Sequence, residues 1–255
     1  MKIYVCVKHV PDSAAKITIA EKNKINESIT FIMNPYDEHA VEEAGQLKAK
    51  VDDSEIIAVS LGKPGAIDTL QSALAMGTDR GILIKTNDHQ DSILTAKALA
   101  AAITQDGSAD IIFTGKESID SEGFQTMYRL GAELNMPAAS NVMAFALERR
   151  QVLVEYEMEA GARSVIRMPL PCIVGVGKGL NKPRYPTLPA IMKARKKEIK
   201  QLDMDSLNII PPTSRMDIIE LKPSVEHRQP IELKGKPQEV VDQVIRILQD
   251  EAKVI

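Results

Sequence analysis

Residues 111–134 read IIFTGKESIDSEGFQTMYRLGAEL, and the changes of texture along this stretch decide the fold. Ile111 to Thr114 is a short apolar run, Gly115 to Thr126 is polar and glycine-punctuated, and a helical pattern runs from Gly123 to Leu134. Strand, polar turn and helix in that order form the leading half of a βαβ unit. Working outward, four more runs share the character of the first: Ile3 to Val7, Ile56 to Ser60, Gly81 to Ile84 and Cys172 to Val176. Continuous apolar character marks strands covered on both faces, the condition of a parallel sheet. Helical patterns at Pro35 to Lys50, Gly65 to Met76 and Asp91 to Gln105 are long enough to cross between parallel strands. The expected fold is therefore α/β, a doubly wound and mostly parallel sheet. Val142 to Met158 instead alternates apolar and polar residues, as does Ser164 to Met168, which predicts an antiparallel β-hairpin insertion turned at Gly161.

Beyond about residue 200 the texture changes again. Prolines scatter at 211, 212, 223, 230 and 237, and helical spacing returns only near Glu239, where Val240, Val241, Val244, Ile247 and Leu248 fall on one face. The chain divides on this reading into an α/β domain over 1–200 and an extended C-terminal arm with a helix over 201–255. A long arm without a core of its own is usually functional or bound to a partner.

Composition narrows the classes. With 32 basic and 35 acidic residues the formal charge is -3, which leaves no basic field for nucleic acid. Cys6 and Cys172 lie far apart without a CxxC spacing, which predicts free thiols and a reducing, cytoplasmic setting. No apolar run reaches the roughly 18 residues needed to span a bilayer, so no membrane insertion is expected.

Open α/β sheets bind ligands at the carboxyl ends of their strands, and three junctions there stand out. Val7 to Asp12 changes polarity abruptly, with Pro11 fixing a turn. Asn34 and Pro35 suit a helix N-cap followed by the favoured first helical position, which accounts for the pair without a ligand. Gly115 to Thr126 joins a glycine, polar side chains and a helix start, a place where backbone amides receive phosphate. There is no GxxxxGK[ST] and hence no sign of ATP hydrolysis, and GVGKG at 175–179 lacks the third glycine of a dinucleotide loop. His9, His39, His89 and His227 show no metal spacing. No metal, nucleophile or catalytic residue is expected.

Five motifs nevertheless occur in one order: VCVKHVPD at 5–12, MNPYDEHAVEEA at 33–44, ALAMGTDRGI at 73–82, GKESID at 115–120 and LNKPRYPTLPAIMKARKKEI at 180–199. Together they resemble the electron transfer flavoprotein beta family over nearly the whole chain. The resemblance implies an adenine nucleotide alpha hydrolase-like sheet and a non-catalytic subunit paired with an alpha subunit. It further implies an AMP held by Cys6, Asn34, the turn at Ser60 and Leu61, and the loop Gly115, Lys116, Glu117, Ser118, Ile119, Asp120, Ser121, Glu122, Gly123, Phe124, Gln125 and Thr126. The redox FAD would lie mainly on the alpha subunit, with Ser13 and Ser164 contributing a wall where relatives often carry an aromatic and an acidic residue.

The same resemblance makes residues of about 183–197 a recognition loop for acyl-CoA or related dehydrogenases. Leu188 would be its anchor, with Pro189, Ile191 and Met192 beside it and electrons passing on to a quinone reductase. A leucine between Pro186 and Pro189 suits that role, because a stiff loop loses less entropy on docking. Lys193, Arg195, Lys196 and Lys197 form a basic cluster able to steer an acidic partner. Met127 stands where the family commonly has glycine, an expected narrowing of the nucleotide site. Electron-bifurcating relatives, which use NADH and a second FAD in place of AMP, carry a loop close to DGDTAQ. Here Asp120, Ser121, Glu122, Gly123, Phe124 and Gln125 occupy it, and a retained TLP favours the non-bifurcating branch. A stand-alone ATP-binding signalling protein is the alternative from another class.

Overall fold

A computed structural model describes residues 1–209, 215–223 and 230–255; Pro211, Pro212 and His227 lie outside them. In chain order the elements are β1 (Lys2–Cys6), β2 (His9–Pro11), β3 (Ile19–Glu21), β4 (Lys24–Ile25), β5 (Phe31–Met33), α1 (Pro35–Lys48), β6 (Glu55–Gly62), α2 (Ile67–Met76), β7 (Arg80–Lys85), α3 (Ser92–Asp106), β8 (Ile111–Gly115) and α4 (Thr126–Leu134). They continue as β9 (Ala138–Glu148), β10 (Gln151–Glu157), β11 (Arg163–Pro169), β12 (Cys172–Val176), α5 (Leu188–Ala194), β13 (Ile199–Asp203) and α6 (Pro237–Arg246).

The main sheet has the order β11-β10-β9-β12-β8-β1-β6-β7-β13. Every pairing from β9·β12 through β7·β13 is parallel, whereas β9, β10 and β11 pair antiparallel. All five residues of β8 and of β12 are buried, as strands with helices on both faces must be. Alternate side chains enter two cores. Ile3, Val5, Ile56 and Ala58 meet Ala40, Val41 and Leu70, while Tyr4, Ile57, Val59 and Ile82 meet Ala96, Leu99, Ile103 and Leu130. One layer is thus built on α1 and α2, the other on α3 and α4.

Local chemistry sets the element ends. Pro35 opens α1 with Asp37 and Glu38 in the first turn and Lys48 in the last, each favourable to the helix dipole. Asp91 caps α3 by accepting from Leu94 N at 2.8 Å. Gly77 (φ +126) and Gly107 (φ +145) stop α2 and α3 in conformations that side chains avoid.

Two features extend the expected architecture. The alternating segment contains a second turn at Arg149 and Arg150, with Arg149 at φ +58, so the insertion is a three-stranded meander whose later turn holds Gly161. Residues Ile199–Asp203 join the sheet beside β7, so the main compact unit runs from Met1 to Ile219. The second unit, Glu220–Ile255, carries α6, whose start is tied by Lys236 N donating to Glu239 at 3.0 Å. Val241, Val244 and Ile245 of α6 are exposed.

Among the described residues no helix is long and apolar enough to cross a membrane.

Candidate functional site

Strand β1 lies between β6 and β8. The chain moves from β1 outward through β6 and β7, then returns with β8 on the other side of β1. Successive connections therefore leave in opposite directions at the carboxyl ends of β1 and β8, the crevice where open α/β sheets take ligands. The 116–126 loop follows β8 at that point, and Cys6 ends β1 beside it.

Asn34 fastens the loop. Its side-chain Nδ2 donates to Glu117 O at 2.8 Å, and its Oδ1 accepts from Ile119 N at 3.2 Å. The expected capping role is thereby corrected, because the side chain does not cap α1. The Asn34 carbonyl still accepts the first helical N–H groups, from Asp37 at 2.8 Å and Glu38 at 3.3 Å. An amide that is 1% exposed meets one backbone acceptor and one backbone donor, a match that only Asn or Gln provides.

Two residues central to the crevice stand outside the set assigned to the nucleotide, although Lys8 lies in the Val7 to Asp12 junction singled out in the sequence. Lys8 Nζ reaches Asp120 at 2.7 Å, Ser118 Oγ at 3.2 Å and Ser121 Oγ at 3.4 Å. Although burial pushes it up, Lys8 and Ser118 hold the Asp120 carboxyl below its ordinary range. His89 is pushed down, first by burial and then by the Lys8 charge. Asp37 accepts from Lys8 N at 2.8 Å and Gly115 N at 2.9 Å, tying the ends of β1 and β8 to the first turn of α1. Neither role has a sequence signal: a lysine after a strand and an acid in a first helical turn are commonplace.

Burial raises the Asp37 carboxyl to about 7, against the pull of the Lys8, Asn34 and Gly115 hydrogen bonds and the Lys8 charge. A proton bound more tightly in the folded chain stabilises it fully below the ordinary value of 3.8. That contribution disappears as pH rises through about 7. Relative to Asp37→Asn, the native protein is expected to lose on the order of 2–4 kcal/mol between those limits. Urea midpoints from pH 5 to pH 8 check this, and parallel profiles for the two proteins would contradict it.

The remaining predicted residues divide. Ser60 Oγ is buried and, among the described residues, lacks a hydrogen-bond partner, while Leu61 packs on the α3 side. Burial, with the Asp37 charge adding, pushes the Cys6 thiol up to about 12. Lys116 pairs with Glu117 at 3.1 Å, and its ammonium lies 5.2 Å from the Tyr36 ring centroid. Glu122 (φ +45) and Phe124 (φ +50) hold the loop in the left-handed region, and Phe124 tilts against Tyr128 at 6.2 Å. Gln125 does not cap α4 but accepts from Arg129 at 2.5 Å, so the first amides at Thr126 keep no side-chain cap. Met127 does not narrow the site. It is 4% exposed and packs in the core with Leu130 and Ile173, over Gly175, where an added Cβ would overlap its sulfur. The GVGKG run is therefore a packing feature.

Ser13 is exposed after β2, and Ser164 sits on edge strand β11 opposite Tyr156; neither joins the Asn34–Lys8 network. On the far side of α2, Leu188 opens α5, with Thr187 capping through Ala190 N at 3.4 Å. Leu188 is 71% exposed and Met192 62%, with Ile191 and Pro189 also at the surface. Leu188 thus stands off its own domain. The basic cluster is divided: Lys197 Nζ donates to Leu74 O at 3.0 Å and Thr78 O at 2.5 Å, so it closes the end of α2 instead of facing a partner.

Comparison with known proteins supplies the family. The family described as electron transfer flavoprotein domain matches residues 23–207. The chain is 33% identical to "Electron transfer flavoprotein subunit beta" of Bacillus subtilis, over all of both chains. It is equally 33% identical to the mitochondrial beta subunit of Arabidopsis thaliana, again over all of both. With the mouse beta subunit it shares 36% identity over 87% of this chain and 88% of the relative. Carrying that domain over most of its length and aligning end to end with beta subunits from a bacterium and a plant, the chain belongs to the electron transfer flavoprotein family as a beta subunit, an electron carrier and not an enzyme.

Proposed function

We propose that this subunit holds AMP in the β1–β8 crevice, supports an FAD carried mainly by an alpha subunit, and docks acyl-CoA or related dehydrogenases through Leu188. The observation that carries the nucleotide reading is the loop pinned by Asn34 and Lys8 at the topological switch point. Its donors suit a phosphate ester: the Lys8 ammonium, the Ser118 and Ser121 hydroxyls 2.8 Å apart, and the uncapped amides that open α4. The Ser60 hydroxyl, buried and without a hydrogen-bond partner among the described residues, adds a polar group that a nucleotide would satisfy. On this reading Cys6, Asn34, Ser60, Leu61 and residues 115–126 line the site, and Asp120 releases Lys8 to the phosphate.

For the flavin, Ser13 and Ser164 offer hydroxyls on surfaces open to a second chain, able to hydrogen-bond but not to stack. FAD supplies the electron chemistry when bound; this chain orients it and brings it to partners. Of the segment beyond about residue 200, the second unit, Glu220–Ile255, is assigned to docking on the alpha subunit, and the final acceptor is a quinone reductase. The two free thiols support a reducing, cytoplasmic setting.

Purification with the alpha subunit, followed by identification of the nucleotides released on denaturation, tests the cofactor assignment. One AMP and one FAD per heterodimer are expected; two FAD without AMP would overturn it. Leu188→Ala is expected to lower kcat/KM for electron transfer from the dehydrogenase by roughly tenfold or more at unchanged FAD content. Unaltered kinetics would remove Leu188 as the anchor.

A further inference from the structure

Strand β13 lies beyond β7 at the far edge of the sheet from β12, so residues 177–198 pass across β8, β1, β6 and β7. They cross on the α1 and α2 side, and they are fixed at both ends.

At the front, α1 offers His39, Glu42 and Glu43 on one helical face. Asn181 Nδ2 donates to His39 O at 3.0 Å and to Glu43 Oε2 at 2.9 Å, while its carbonyl and side-chain oxygens lie 3.1 Å from His39 Nδ1. Arg184 grips Glu42 three times: Nε to Oε2 at 2.7 Å, Nη2 to Oε1 at 2.9 Å, and the backbone N to Oε2 at 3.1 Å. Burial pushes the Glu42 carboxyl up, but Arg184 and Gln46 hold it below its ordinary range. At the rear, Ala194 is 2% exposed and Lys197 binds Leu74 O in the last turn of α2 and Thr78 O just beyond it.

Between these staples stand Tyr185, 92% exposed, with Leu188 and Met192. The strap forms one wall of a cleft of about 660 Å³, with Tyr185, Pro186 and Ile191 facing Met33, Ala75 and Met76 among polar groups, while Leu188 and Met192 stand outside it. A loose strap would let its apolar side chains fold into this space. An ion pair with one partner buried and the other half-exposed adds little net stability over an apolar pair of similar shape, but a bidentate fork fixes position.

We propose that the Asn181/Arg184 and Lys197 staples are positioning devices for partner docking. They fix the strap as an open wall of the cleft and keep the Leu188 face in its binding geometry, setting dehydrogenase affinity without touching the dehydrogenase. This rests on the docking role given above to Leu188.

The test compares heterodimers carrying Arg184→Lys, Lys197→Met or Leu188→Ala. Arg184→Lys keeps a charge beside Glu42 but loses the fork, so it remains informative if Lys197→Met folds poorly. Amide exchange is followed over 181–195, and Kd and steady-state constants are measured with an acyl-CoA dehydrogenase. Both staple variants should speed exchange in that segment about tenfold and raise Kd roughly fivefold, with the defect in KM and not in kcat. Leu188→Ala should weaken binding while leaving exchange in the segment as it is. Faster exchange with unchanged Kd, while Leu188→Ala still weakens binding, would overturn the staples as positioning devices and leave the docking role standing. Unchanged exchange would overturn them equally. Unchanged Kd in all three would bring down the docking role and this inference with it.

Discussion

Gly115→Ala is expected to destabilise the protein by about 3 kcal/mol and, on the proposed reading of the crevice as an AMP site, to empty it of nucleotide. A Cβ at this position would overlap the Asp37 carboxylate and stand 2.6 Å from Tyr36 Cβ and 3.0 Å from the Tyr36 carbonyl carbon. None of these atoms is the free end of a flexible side chain. Tyr36 Cβ and its carbonyl carbon belong to the first turn of α1, and the carboxylate is pinned by the N–H groups of Lys8 and Gly115. Relief requires α1 to move off β8, which also displaces Asn34 and the loop it holds. Denaturant unfolding measures the first effect and nucleotide content of the purified heterodimer the second. Gly123→Ala is the control, since an added Cβ there meets nothing within 4 Å and should change stability by no more than about 0.5 kcal/mol. A Gly115→Ala protein as stable as that control would show that the approach of α1 to β8 is not tight.

Much of this arrangement was legible in the sequence, for a physical reason. Strands buried on both faces must be apolar throughout, so β1, β6, β7, β8 and β12 announce themselves as continuous runs. Strand β13 does not. Its residues IKQLD are half-exposed at the sheet edge, and the strand gives each core a single apolar side chain, Ile199 on the α1 and α2 side and Leu202 on the α3 side. The turn at Arg149 and Arg150 was hidden because it uses neither glycine nor proline, the residues by which turns are usually read. Asn34 shows a different limit. Asparagine before a helix signals a cap, yet the same amide serves a distant loop equally well, and nothing local tells the two uses apart. Lys8 and Asp37 lie 29 residues apart in sequence and become a pair only when the sheet forms. Met127 was misjudged through its neighbours: the 116–126 loop suggested a site residue, whereas the helical phase of α4 turns it into the core against Gly175.

Asn34→Asp should detach the loop at a cost of about 2–4 kcal/mol. The substitution replaces the donor facing Glu117 O with an acceptor, so two oxygens oppose each other in a buried site, and it places a second carboxyl near Asp37. Asn34→Ala removes the repulsion but leaves Glu117 O and Ile119 N without their partner, a smaller loss of about 1–3 kcal/mol. The two variants are expected to separate with pH. A protonated carboxyl regains a donor toward Glu117 O, so the Asn34→Asp defect should shrink as pH falls from 8 towards 5, whereas the Asn34→Ala defect should recover only the smaller part that comes from the lost hydrogen bond to the Asp37 carboxyl. Amide exchange at Ser118 through Ser121 and bound nucleotide per heterodimer report the two effects separately. Equal defects at both ends of the range would mean that the donor to Glu117 O contributes little. The loop would then depend on Lys8 and its hold on Asp120, Ser118 and Ser121 instead.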